Sequence, residues 1–395
     1  MEASMTQRLA LLLFTGALVA ARGPAQQTTK APLKAVAHNL VTSTMLKEGQ
    51  TLLISGSVRD LPLMEDLAVE AQKIGLQPML SLWSERLIRR SYDEVPAKYD
   101  DQQPTVGMGL AKLFDGQIAI DYGETEGLLK GVPPERIAAR SKANAPVFDA
   151  FLKRNTHFVN LGNGLYPTRT LARRLGISQA RLAAGFWKAL AVPPEQVAAA
   201  AERLRAVFAG GKTVRLTHPN GTSLSFDVTD RTPTISAGAL TEKQVEQGGA
   251  ALLTWLPAGE FQIAAVPGSA EGKVVIDRSL WRGQIVKGLT LVFSQGKLTG
   301  MSAASGLALF KADYDAGGSG KDLFGLIDIG LNPGINVPLA TGAIVWPQAG
   351  AVTVVLGNDL VGGGSNNSDF GYAGQLGGAS VTVDDKPVVV NGRLK

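Results

Sequence analysis

Five carboxylates in the second half of the chain stand in or beside strand-like apolar runs: Glu260, Asp277, Asp328, Asp359 and Asp369. Converging oxygen ligands of this kind are what a hard cation such as calcium or magnesium requires. Glu260 poses the sharpest question. It lies in the apolar stretch "LPAGEFQIAAVPGSAEGKVVID", residues 256–277, where a carboxylate is either a hydrogen-bonded strand-end residue or one part of a site. The run "GNDLVGGGSNNSD" has side chains suited to a loop ion site, although a solvated glycine-rich loop has the same composition.

Other chemistries are sparsely provided for. Without cysteine, disulfides, thiol catalysis, iron–sulfur clusters and thiolate zinc sites are excluded. Only three histidines occur, His38, His157 and His218, with no HxH or HExxH spacing and none after residue 218. No GxSxG nucleophile elbow is present. "GGSGKD" resembles a phosphate loop, but Asp315 replaces the first glycine and Asp322 the magnesium-binding hydroxyl. "GMGLAK" lacks the third glycine of a dinucleotide fingerprint.

The elements that must position these carboxylates fall into two halves. From Gly49 the pattern alternates short apolar runs with helical periodicity, as in "QTLLISG" followed by "DLPLMEDLAVEAQKIG". That alternation predicts a parallel sheet with helices on its faces. Two helices, "SQARLAAGFWKALAV" and "PPEQVAAAAERLRAVFAGG", close this half. After Lys212, "KTVRLTHPNGTSLSFDV" reads as a hairpin, and strand-like runs with glycines continue to the end. The expected architecture is an α/β N-terminal domain with a parallel sheet, residues 26–210, and a β-rich α+β C-terminal domain, residues 211–395.

Residues 1–25 read as a secretory signal peptide. Arg8 precedes an apolar run of 13 residues, too short to span a bilayer, followed by small residues. Cleavage after Ala21 or Ala25 fits, with Met5 as an alternative start. The expectation is export to the periplasm or the medium with no stable membrane anchor, and the lack of cysteine excludes a lipid-anchored form. The net charge of +5 becomes +4 once Arg8, Arg22 and Glu2 leave. So mild a balance, with basic clusters that lack interleaved aromatics, argues against nucleic-acid binding.

Several segments in fixed order resemble the thermophilic metallo-aminopeptidases of the aminopeptidase T and aminopeptidase II type. They are "NLGNGLYPTRTLARRLGIS", "TVRLTHPNGTSLSFDV", the Glu260 stretch, "LIDIGLNPGI", "AVTVVLGND", "GGGSNNSDFGYAG" and "ASVTVDDKPVVVNGRL". The resemblance runs from about Leu46 to Lys395. It implies a two-domain subunit, association into a homodimer and an exopeptidase site in the C-terminal domain. It also implies two divalent metals such as zinc, cobalt or magnesium. A ring-opening dihydroxypyridine dioxygenase shares the fold, so the resemblance carries architecture further than reaction.

The resemblance implies six ligands: two glutamates, two histidines, a tyrosine and an aspartate. Glu260 matches the first glutamate. The second falls on Leu326, the first histidine on Thr353, the tyrosine near Leu360, and the final His-x-Asp on Gly371 and Ala373. Paired cations need anionic and imidazole ligands to replace their water, and this set does not supply them. The expectations are therefore no catalytic residue, no bound metal cofactor, and a pseudoenzyme whose former ligand positions line a cleft for a peptide or amino-acid-like ligand. Two alternatives stand beside it. One is an active hydrolase on a rebuilt oxygen-only site of Glu260, Asp328, Asp359 and Asp369; the other is a structural or assembly protein.

Overall fold

The computed structural model describes residues 30–395 except 122, 123, 126 and 369. The segment expected to be a signal peptide and Asp369 therefore lie outside the described residues. The chain opens with α1 (Lys30–Ser43), β1 (Thr51–Ser57), α2 (Leu61–Lys73), β2 (Gln77–Trp83), α3 (Glu85–Asp93), α4 (Thr105–Leu113), β3 (Gly116–Ile120), α5 (Pro134–Lys153) and β4 (His157–Leu161). Three helices follow: α6 (Arg169–Arg174), α7 (Gln179–Leu190) and α8 (Pro194–Phe208). Local signals place them. The Ser178 hydroxyl caps α7 by accepting the Arg181 N–H, and Pro194 opens α8, where a missing N–H costs nothing. α2 turns Leu63, Met64, Leu67 and Ala71 inward, the spacing of one helical face.

The remainder is β-rich: β5 (Thr213–His218), β6 (Thr222–Asp227), β7 (Thr234–Ser236), α9 (Glu242–Gln247), β8 (Leu253–Leu256), β9 (Glu260–Ala264), β10 (Glu271–Trp281), β11 (Gln284–Ser294) and β12 (Lys297–Ser302). Then come α10 (Leu307–Ala316), β13 (Phe324–Gly330), β14 (Val352–Gly357), β15 (Gly371–Leu376), β16 (Ser380–Val383), β17 (Lys386–Val390) and β18 (Arg393–Leu394). No helix among the described residues is long and apolar enough to cross a membrane.

Three sheets result. The parallel sheet runs β2-β1-β3-β4-β8, an order that reverses between β1 and β3 as in doubly wound folds. Two antiparallel sheets, β12-β11-β10-β6-β5-β16-β17-β18 and β15-β14-β13-β9-β7, pack through one large apolar core. Phe261, Ile263, Ile327, Ile329, Val352 and Val354 reach that core from the five-stranded sheet. This is an α/β domain followed by a β-rich one. The chain does not keep the two strictly apart, however: beyond Gly210 it sends β8 back to the edge of the parallel sheet beside β4. Only residues 257–259 separate β8 from β9, so Glu260 starts its strand at the junction of the two layers.

Phe261 is fully buried and its ring lies 4.9 Å from that of Phe208 on α8, which anchors the helix to the sandwich. Phe261→Ala should cost about 3–5 kcal/mol in urea unfolding, the range for truncating a packed aromatic. A loss below about 1 kcal/mol would show that the contact is not part of the core.

Candidate functional site

Side chains alternate across a strand, so the five-stranded sheet has a second face opposite its core. Two rows cross that face in register. Ala264, Leu326, Val355 and Ala373 form one, and they pack together as a small apolar cluster. The next row is polar: Thr234, Gln262, Asp328, Thr353 and Gln375. Asp328 is its centre, with Gln262 and Thr353 directly opposite on the neighbouring strands. Glu260 follows one pair further along β9, opposite Gly330 and Ser236. Diagonal neighbours in an antiparallel sheet have Cβ atoms roughly 7–8 Å apart, within reach of one another for long side chains.

The face is closed from both sides. A Cβ at Gly330 would meet the Gln348 carbonyl oxygen at 2.0 Å, so glycine there lets the 346–348 backbone cross beside Glu260. A Cβ at Gly362 would meet the Leu326 side chain at 2.6 Å, so this turn lies tight over the apolar row. Between these covers Asp328 has no exposure, Thr353 1% and Glu260 6%.

The electrostatics follow from that burial. Neither Asp328 oxygen has a hydrogen-bond partner. Burial raises the Asp328 carboxyl well above the usual carboxylate range and the charge of Glu260 raises it further. Gln262 opposes this from the next strand without reaching hydrogen-bond geometry. Burial also pushes Glu260 up to about 7, against a hydrogen bond from Asn163. That Asn163 Nδ2 donates to Glu260 Oε1 at 3.2 Å and to the Pro257 carbonyl at 3.0 Å. Its own N–H donates to Asn160 Oδ1, and Asn160 Nδ2 donates to Asp121 Oδ1 at 2.7 Å. A polar chain thus links Glu260 to the carboxyl ends of β3 and β4, the edge where parallel sheets hold their ligands.

The expected site residues separate accordingly. Glu260, Leu326, Thr353 and Ala373 share the face, but they are packed there and line no open cleft. Leu360 is 47% exposed above it, and Gly371 is exposed where β15 begins, so neither joins the group. Of the described carboxylates expected to converge, Glu260 and Asp328 come together and Asp359 does not. Asp277 lies on β10 with Oδ1 accepting from Asn220, and Asp359 accepts the Asn366 N–H within its own loop. Gln262 and Asn163 were not anticipated. Asp328 as the centre could have been read from "FGLIDIG", where one charged residue interrupts a strand buried along its whole length.

A pair of zinc- or cobalt-type metals does not fit this set. No group of three or more His, Cys, Asp or Glu among the described residues could hold a metal ion. Leu326 and Ala373 lie in the apolar row, and the three histidines are engaged elsewhere, with Glu70, Thr44 and Gly377.

Both carboxyls hold their proton more firmly folded than unfolded. For Glu260 that stabilising share is complete below the unfolded value near 4 and is lost as pH rises through about 7; for Asp328, raised well above the usual carboxylate range by burial and the charge of Glu260, it is lost only as pH rises through that raised value. In EDTA, wild type should be less stable to urea at about pH 8 than at about pH 5, by about 3 kcal/mol for Glu260 alone. The double variant Glu260→Gln/Asp328→Asn should lack that component. Equal pH profiles for the two proteins would show that the carboxyls are solvated.

The family model described as thermophilic metalloprotease (M29) matches residues 29–319. Aminopeptidase T from Thermus aquaticus is 25% identical over 327 residues, covering 76% of this chain and 77% of that protein. The structure of wild-type AmpT from Thermus thermophilus superposes with a TM-score of 0.68 at 18% identity, covering 92% of this chain and 99% of the other. The 2,5-dihydroxypyridine dioxygenase from Pseudomonas putida follows at a TM-score of 0.57 and 12% identity, covering 93% and 98%. The chain belongs to the thermophilic metalloprotease family M29.

Proposed function

We propose that this M29 member is exported, does not hydrolyse peptides, and uses the inherited scaffold to bind a peptide or amine-bearing ligand. The observation that carries the reading is the apolar row. The positions matched to family ligands hold Leu326 and Ala373, packed with Ala264 and Val355. Apolar contact of this kind supplies neither charge for a cation nor a route for substrate. An active hydrolase rebuilt on oxygen ligands is supported less well, because a nucleophilic water must reach a scissile amide and Asp328 has no exposure. For binding, a cavity of about 440 Å³ lies beside Leu256, Pro257 and Ala258, against α1 and the turn between α7 and α8. Its volume suits a small ligand.

Purified mature protein should release no amino acid from aminoacyl-anilides or dipeptides in a chelator-sensitive way, with or without zinc, cobalt or magnesium. Glu260→Ala should leave that baseline unchanged. Activity abolished by chelator, or by Glu260→Ala, would overturn the non-hydrolytic reading. Mass spectrometry of secreted or periplasmic material should give a chain that begins near Arg22 or Gln26. Retention of residues 9–21 would remove the export part.

A further inference from the structure

A second opening, of about 240 Å³, lies where α6 of the first domain faces β10 and β11 of the second. Among the described residues that line it are three guanidiniums, Arg173, Arg174 and Arg278, and no carboxylate. Like charges around one small opening repel one another, and an anion held among them offsets that cost. The parts are held in place. Thr170 and Ala172 bury the inner side of α6, which leaves Arg173 and Arg174 exposed at its end. Both have contacts of their own, but five N–H donors on each fork are more than one contact uses. Across the opening, Arg278 stands on β10 and its Nε donates to the Thr341 carbonyl at 2.9 Å. Its two terminal nitrogens meet no acceptor among the described residues. Leu280, Ile285 and Ala343 make the rest of the lining apolar. That wall is fixed too: the Leu280 N–H donates to the Gly342 carbonyl at 3.2 Å, and a Cβ at Gly342 would meet the Leu280 nitrogen at 2.9 Å.

We propose that this opening binds a phosphate monoester, with the phosphoryl group among the three arginines and a small organic group against Leu280, Ile285 and Ala343. Arginine forks match the geometry of phosphate oxygens and keep their charge throughout the working pH range. A phosphate monoester gathers nearly two negative charges and three strong acceptor oxygens on one phosphorus. That compactness suits guanidiniums arranged around a single small opening. A dicarboxylate spreads the same charge over two separated ends, and a lone carboxylate offers one charge and two oxygens, fewer acceptors than there are forks. Inorganic phosphate would satisfy the arginines but leave the apolar wall against water, so an organic ester binds better. The opening shares no residue with the Glu260 face or with the cavity beside Pro257. The inference is therefore independent of the non-hydrolytic reading and of its peptide or amine ligand.

The test uses the whole mature chain at neutral pH and low salt, titrated by calorimetry with phenyl phosphate, inorganic phosphate, succinate and benzoate. Wild type should bind one phenyl phosphate per chain, more tightly than the other three, and the affinity should fall as salt is added. Arg278→Gln should weaken phenyl phosphate roughly tenfold or more, the loss expected when charge-assisted hydrogen bonds are removed. Arg278→Lys keeps the charge without the fork and should fall between the two. Arg203→Gln, exposed on α8 and outside the opening, removes the same charge and should leave the affinity near that of wild type. The substituted side chains are all exposed, so the Tm without ligand should match wild type. Should Arg278→Gln melt early, the double variant Arg173→Gln/Arg174→Gln supplies the same test with the same expected loss. No saturable binding in wild type, or an equal loss in Arg203→Gln and Arg278→Gln, would overturn the proposal. So would succinate or inorganic phosphate binding as tightly as phenyl phosphate.

Discussion

Two carboxylates with no cationic side chain beside them, on the closed face of a sheet, set the constraint under which the rest of this molecule must be read. Taking an ionised carboxylate out of water costs several kcal/mol even after relaxation, and no nearby Lys, Arg or His offsets it here. The surroundings are nonetheless arranged with care. Gly330 and Gly362 are the positions where a side chain would block the covering segments, and both covers depend on them. Asn163 reaches from the first domain to hold Glu260. A face sealed from both directions around an acidic centre keeps water away from it and holds the proton on it. Packing, and not solvent access, is the condition under which any chemistry at Asp328 must operate.

The architecture was largely legible in the sequence, for physical reasons that can be named. Helices such as α7 and α8 carry their own start signals in Ser178 and Pro194, and β5 and β6 flank a Pro-Asn-Gly turn. These are local instructions. The return of β8 to the parallel sheet carries no such mark. "LLTW" is a short apolar run that would suit either sheet, and its place is decided by pairing with residues 158–161 almost a hundred positions earlier. Long-range pairing is chosen by the whole fold, and one strand's composition does not record it.

The candidate site was legible in part. The resemblance pointed to Glu260, Leu326, Thr353 and Ala373 together, and these four share one face of the sheet. Their burial was not foreseen, because it depends on the covering loops and on glycine positions whose reason is visible only in three dimensions. The pairing of Glu260 with Asp328 was missed for a related cause: the two are 68 positions apart and meet only through the register of β9 against β13. Leu360 and Gly371 stay outside the group for other reasons: Leu360 lies exposed in the turn at 360–362, and Gly371 is the exposed first residue of β15, where the covering segments do not close over it.

The same scaffold is shared by AmpT and by a 2,5-dihydroxypyridine dioxygenase, so the fold by itself does not decide the chemistry. In this chain two of the positions marked by the resemblance lie side by side. Leu326 and Ala373 pack with Ala264 and Val355 into one patch, a coherent apolar solution that recovers burial free energy where charge would otherwise need ligands. The row beside this patch is polar. Asp328 stays charged-capable between Gln262 and Thr353, one strand pair away from side chains that would tolerate a leucine. Asp328 keeps its carboxyl in a fully buried position, and burial together with the neighbouring Glu260 answers that cost by holding the proton on it, well above the usual carboxylate range.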